Sequence, residues 1–164
     1  MSAFNPVKDA INIYNEVYEN FLKKLVSDNL QKTEKSLRAR AREMPSLLQE
    51  TGLLGVYSFC FGKGNEYYKK FIEYLENKNQ EHFEKLKNET NVGYTVYLYL
   101  ILKGIEKINK TINIIDVDVN DPKSFFNKIN ETSKIKIVEK LLLPYLTEIK
   151  KLCEGTLRSE SYAE

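Results

Sequence analysis

Apolar residues recur along this chain at alternating spacings of three and four, the pattern of helices that each bury one face. The first run opens at Asn5-Pro6, where Asn can accept from free amides and a first-turn Pro forfeits no hydrogen bond. Phe4, Val7, Ile11, Tyr14, Tyr18, Phe21 and Leu25 then line up as a seam about three heptads long. Little charge pairing flanks that seam, so it reads as the flank of a bundle rather than as a coiled coil. Ser27-Asp28-Asn29 ends it.

A second segment, 33–49, places Leu37, Ala41, Met44 and Leu48 on one face, with Pro45 predicting a kink or restart inside it. Gly52 and Gly55 bracket a short apolar helix, 53–61, and Gly62-Lys63-Gly64 reads as its C-terminal cap. Helices over 65–77 and 79–88 follow. The stretch 92–112 is apolar around most of its circumference as far as Leu102, which assigns it to the centre of a bundle. The segment 113–120 alternates like a strand but has nothing to pair with, so it reads as a loop. Asp121-Pro122 opens a short helix through Phe125, Phe126 and Ile129.

The last helix, 133–153, repeats the seam at Ile135, Val138, Leu142, Tyr145, Ile149 and Leu152, with Pro144 on its outer side and Gly155 as its stop. The fold class expected is all-α: a compact bundle of six to eight helices in a single domain, 1–153, followed by a disordered tail, 154–164.

Composition narrows this picture. A chain of 164 residues can bury a core without disulfide or metal staples. Its longest near-apolar stretch, 92–102, is about half of what a membrane span needs, and residues 1–8 lack a signal-peptide pattern. Cys60 and Cys153 sit in apolar helical patterns, as buried free thiols do, which points to a reducing compartment and a cytoplasmic location. The formal net charge of +2 excludes a strongly basic chromatin-like protein. Any attraction to nucleic acid must therefore come from how charge is distributed.

That distribution is uneven. Residues 31–45 carry five cations against two acids, a net +3, and hold Arg38, Arg40 and Arg42, three of the four arginines. Residues 132–153 are also +3, whereas 116–131 are −2. At 100° per residue Lys35, Arg38 and Arg42 fall within about 60° of one another, with Arg40 on the other side of the apolar stripe. Lys136, Lys140 and Lys151 cluster within about 60°, opposite the last seam. A solvated face accounts for the lysines. Clustered arginines ask for more, because the guanidinium fork suits phosphate oxygens and buried contacts.

No catalytic arrangement emerges, and no enzyme activity or cofactor is expected. His82 lies beside Glu81 and Glu84 without a nucleophile to serve, and reads as a surface residue. Gly62-Lys63-Gly64-Asn65 lacks the spacing of a phosphate-cradling loop. Asp116, Asp118 and Asp121 resemble the start of a calcium loop that lacks its glycine and closing Glu. Of the eleven tyrosines, Tyr14, Tyr18, Tyr74, Tyr94, Tyr97 and Tyr145 fall on apolar faces, where core packing explains them better than base stacking.

The stretch 35–63, KSLRARAREMPSLLQETGLLGVYSFCFGK, resembles the signature of the small helical subunit of type III-B CRISPR Cmr effector complexes. The correspondence runs through the basic helix at Arg38 to Arg42, then Pro45, Leu47-Leu48, Gly52-Leu53 and a closing lysine at Lys63. Farther on, 94–108 resembles the family's apolar helix and 134–151 its closing basic helix. Gly55-Val56-Tyr57-Ser58 departs from the family's more aliphatic pattern.

The resemblance implies a non-catalytic subunit that stacks with neighbouring copies of itself and with other Cmr subunits, beside the guide RNA. It implies that basic faces line the path of the target RNA, with Lys35, Arg38, Arg40, Arg42, Lys63, Lys136, Lys140 and Lys151 as candidate contacts. A helical DNA-binding regulator and a protein-only scaffold are the alternatives.

Overall fold

The computed structural model describes residues 3–131 and 133–158. Every regular element among the described residues is helical. In chain order these are α1 (Pro6–Val17), a π-helical stretch (Tyr18–Leu22), α2 (Lys23–Ser27), α3 (Gln31–Asn77), α4 (Gln80–Leu86), α5 (Thr90–Ile112), α6 (Ser124–Glu131) and α7 (Ile135–Thr156). The first three form one unbroken rod, which leaves six continuous helical elements among the described residues, within the six to eight expected.

α1 starts where Asn5-Pro6 said it would. Asn5 Oδ1 accepts from the Lys8 amide at 3.0 Å, and Asp9 Oδ2 accepts from the Asn5 amide at 2.9 Å. The buried face differs from the predicted seam. Ala10, Ile13, Tyr14 and Val17 face the core, while Val7 and Ile11 are 51% and 38% exposed. Ala10 allows close approach to a neighbouring helix, and the π stretch inserts an extra residue per turn that rotates Phe21, Leu22 and Leu25 onto the same side.

The largest departure lies in α3. The helix passes through Pro45 with helical dihedrals, and its one non-helical residue is Gly52, at φ 77° and ψ −178°. Only glycine adopts that region without strain. Gly52 folds the helix back on itself, so residues 31–51 and 53–77 are two arms of a hairpin with a one-residue turn. Met44 Sδ and Cys60 Sγ, each eight residues from Gly52, meet at 4.0 Å. Glu139 of α7 caps the second arm, accepting from the Leu53 amide at 2.5 Å, a favourable place for a carboxylate at a helix N-terminus.

Gly62-Lys63-Gly64 is not a cap. The second arm runs through it to Asn77 because Gly64 is where α5 crosses, and a Cβ there would lie 2.7 Å from the Thr95 backbone nitrogen.

α5 is the central helix, with every residue from Val92 to Leu102 buried between the two arms of α3 and α7. Gly93 sits against Ser36 of the first arm, and Thr95 Oγ1 donates to the Gly64 carbonyl of the second at 2.6 Å. Residues 113–120 form the predicted loop. It is held by tyrosine hydroxyls that reach it from the core: Tyr68 donates to the Val119 carbonyl at 2.6 Å and Tyr57 to that of Pro122 at 2.5 Å. Tyr145 donates to the Leu100 carbonyl at 2.6 Å. Core packing is thus the role of these rings, and their hydroxyls satisfy buried carbonyls.

α7 buries Val138, Leu142, Tyr145 and Ile149 as predicted, with Pro144 exposed. It continues past the expected stop at Gly155 to Thr156. Of the residues assigned to a disordered tail by sequence, 154–156 continue α7 with exposed side chains and 157–158 make tertiary contacts. Leu157 is buried, and the Arg158 guanidinium grips the fully buried Glu34 through Nη2 at 2.6 Å and Nε at 2.9 Å. The rest of that tail lies outside the described residues.

Two stability predictions follow from these contacts. Gly52→Ala should cost about 2 kcal/mol or more, since a Cβ there is strained at positive φ and would lie 2.6 Å from Glu139 Oε2. A urea titration giving the variant wild-type stability would contradict the turn. Arg158→Ala should destabilise by about 3 kcal/mol at neutral pH, because it leaves a buried carboxylate uncompensated. Adding Glu34→Gln to it should recover part of that loss, and a double variant no better than the single one would refute the ion-pair account.

Candidate nucleic-acid interface

The hairpin of α3 sorts the predicted cations. Arg40 lies on the first arm twelve residues before Gly52, and Lys63 on the second arm eleven residues after it. The fold therefore brings the two side by side over one ring of α5. The Arg40 guanidinium stacks on Tyr94 with its carbon 4.6 Å from the ring centroid, and its Nη1 donates to the Tyr94 hydroxyl. Its Nη2 reaches Glu43 Oε1 at 3.4 Å. Lys63 Nζ lies 6.0 Å from the same centroid. Phe59, 42% exposed, packs its ring 5.6 Å from that of Tyr94. Lys63 and Phe59 are thus exposed around the buried Tyr94 ring, with the mostly buried Arg40 guanidinium tucked against it.

Next to Arg40 the first arm and the start of α5 enclose a groove of about 200 Å³, lined by Lys32, Lys35, Ser36, Ala39, Arg40 and Thr90. Lys35 therefore shares its surroundings with Arg40 rather than with Arg38. The helical wheel grouped Lys35, Arg38 and Arg42 as one open face, but Arg38 is partly buried. Its Nε is covered by protein without a partner, and its charge acts on Cys153 of α7. Arg42 remains exposed between these sides.

The α7 lysines lie elsewhere. Lys136 and Lys140 line a cavity of about 560 Å³ at the Gly52 turn, with Leu48, Leu54, Ile129 and Leu143. Lys136 pairs with Glu139 at 3.6 Å, and Lys151 with Glu148 at 3.4 Å. From Gly52 to Arg40 the first arm rises about 18 Å, so the structure holds two separate basic patches. Lys151 is a further ~22 Å along α7 from Lys136.

Sequence reasoning missed Phe59 as a surface aromatic and passed over Lys32, Ser36 and Thr90, whereas Tyr94, 7% exposed, is buried as its apolar face predicted. The stripe Lys32, Lys35, Ser36, Ala39, Arg40 was the available signal: a helical face of cations interleaved with small residues, fit for a close helix crossing.

Both thiols and two of the central phenols are buried. Burial pushes both the Cys60 and Cys153 thiols up to about 12. Burial likewise holds the Tyr97 and Tyr145 phenols well above their ordinary value. His82 is partly buried, and its Nε2 pairs with Glu73 Oε2 of the second arm at 3.1 Å rather than with its neighbours on α4. Asp118 and Asp121 accept backbone amides of their own loop, from Asn120 and Ser124. No group of three or more His, Cys, Asp or Glu among the described residues is arranged to hold a metal ion. No helix among them is long and apolar enough to cross a membrane.

Comparison of this chain with protein-family models, curated proteins and solved structures finds no match. The functional reading therefore rests on the residues themselves.

The buried thiols and phenols set the pH response. Each is protonated in the fold and ionises more readily once unfolded, so stability is full below about pH 8.5, the ordinary thiol value, and declines as pH rises toward 12. Denaturant midpoints measured from pH 7 to 11 should fall on the alkaline side, with neither thiol reacting with a disulfide reagent at pH 8 until the chain unfolds. Rapid labelling of native protein would contradict this burial.

Proposed function

We propose that this chain is a non-catalytic RNA-binding helical subunit that works inside a ribonucleoprotein, as the small subunit of a type III-B CRISPR Cmr-type effector. The observation that carries the RNA reading is the cluster of Arg40, Lys63, Tyr94 and Phe59, continued by Lys32 and Lys35 along the first arm. Cations beside an exposed ring bind single strands by joining phosphate contacts to base stacking, with little dependence on sequence. The finer assignment rests on the resemblance of residues 35–63 alone.

In this reading the partners are guide and target RNA, other subunits of the complex and further copies of this chain. Stacking of copies would join the basic patches to the acidic 116–131 segment, where the Asp116 side chain is 89% exposed. Such a contact joins two different surfaces and propagates, and exposed ion pairs are worth only ~0–1 kcal/mol each, so copies would associate when RNA and partner subunits hold them together.

The test is fluorescence anisotropy with a labelled single-stranded RNA across a salt series. If about three or four phosphates are neutralised, log K should fall by about 2–3 per decade of salt, at ~0.7 per phosphate. Phe59→Ala with Lys63→Gln, both at exposed positions, should weaken binding about tenfold with helicity unchanged. Absence of binding at low salt would reject the RNA reading in favour of a protein-only scaffold.

A further inference from the structure

We infer that the groove between the two arms of α3 is a base subsite that takes guanine, an inference that rests on the RNA reading above and names the base it would hold. The groove has a volume of about 290 Å³ and is lined by Glu43, Met44, Ser46, Leu47, Glu50 and Phe59. Met44 is buried, whereas Phe59 is 42% exposed and Leu47 half-buried. An open ring beside aliphatic side chains is a surface on which an unpaired base stacks.

The hairpin orders the chemistry along this surface. Counted from Gly52, Leu47 and Phe59 lie five and seven residues out on opposite arms, and Lys63 and Arg40 eleven and twelve. Phe59 and Lys63 are therefore about one helical turn apart, ~6 Å along the second arm. Both are exposed and both approach the buried Tyr94 ring, so they share one side of the molecule. That spacing suits a nucleotide whose base lies on Phe59 and whose phosphate lies on Lys63.

The polar groups of the wall choose the base. Glu43 and Glu50 stand on either side of Ser46 along the first arm, and none of the lining residues is a cation. Glu43 gives one oxygen to Arg40 Nη2 at 3.4 Å, and Glu50 pairs with no cation among the described residues. Ionised carboxylates only accept hydrogen bonds. Guanine presents two adjacent donors, N1–H and the 2-amino group, on its Watson–Crick edge. Adenine and cytosine set one amino group beside an acceptor, and uracil sets its single N–H between two carbonyls. A wall of acceptors therefore matches guanine and opposes uracil. A basic peptide would also meet the two carboxylates, but Lys63 and Arg40 repel it one turn away. A ligand that is anionic at one end and rich in donors at the other satisfies both ends of the surface.

The experiment measures anisotropy with labelled uridine oligomers of about twelve nucleotides that carry uridine, guanosine or inosine at the centre. Wild type should bind the guanosine oligomer about tenfold more tightly than the all-uridine one, the discrimination of a bidentate base contact. Inosine lacks the 2-amino group and should fall between them. The variant Glu43→Gln with Glu50→Gln, both at exposed positions, should melt like wild type and bring the guanosine-to-uridine affinity ratio close to one. In parallel, the Leu47 methyl signals are followed by NMR while guanosine or uridine 5′-monophosphate is added. Guanosine monophosphate should shift them in wild type, and uridine monophosphate should shift them much less.

Equal binding of the three oligomers with unmoved Leu47 methyls would overturn the base subsite while leaving the RNA reading in place. A guanosine preference that survives in the Glu43/Glu50 variant, or an inosine oligomer bound as tightly as the guanosine one, would overturn recognition by the carboxylates. Methyls that move with guanosine monophosphate in a protein that binds no oligomer would retain the groove and reject the RNA reading.

Discussion

A single backbone conformation organises this molecule. At Gly52 the chain enters a region of φ and ψ that a side chain forbids, and a helix that would otherwise continue reverses direction over one residue. Because both arms start from the same point, residues at equal distances before and after Gly52 are brought together, as Met44 and Cys60 show. The second arm begins without a loop to satisfy its amides, so Glu139 must come from α7 to cap it. The turn thereby fixes where α7 lies. The space between the arms fixes α5, whose burial follows from enclosure by three helical segments.

The same geometry explains why cations far apart in sequence share a surface. Arg40 and Lys63 are 23 positions apart, yet both lie over Tyr94 because the hairpin crosses α5 at matching heights on its two arms. Small residues set that height: Ser36 rests on Gly93, and Gly64 on Thr95. The Arg40 side chain is held by its ring contact and hydrogen bond, which makes the patch preorganised rather than a set of mobile surface charges. A net charge of only +2 is then no obstacle to binding an anion, since potential follows local arrangement.

Several polar groups in the interior tie distant segments of the chain together. Tyrosine hydroxyls from α3 bind the loop before α6, and one from α7 binds a carbonyl of α5. Glu34, fully buried, binds both the backbone and the side chain of Arg158. This last pair anchors the end of α7 to the beginning of α3. Leaving Glu34 unpaired in the interior would be costly, which gives five residues of apparent tail an ordered place.

The sequence by itself determined the helices and their buried character. Periodicity located α1, the central α5 and α7, and Pro144 could be placed outward, because these are properties of 3.6-residue repeats and local sterics. It also marked 31–45 as a basic segment. It could not tell which of two nearby apolar faces of α1 would be buried, since both Val7/Ile11 and Ala10/Ile13 offer a stripe and only packing against neighbours chooses between them. Nor could it rank its breakers. Pro45, Gly52 and the Gly62/Gly64 pair are each able to end a helix, and only contacts from α5 and α7 decide that Gly52 turns the chain while the others do not. The Arg40–Tyr94–Lys63 cluster was out of reach for the same reason. It is made by a reversal and a helix crossing, and those are set by tertiary packing rather than by any spacing along the chain.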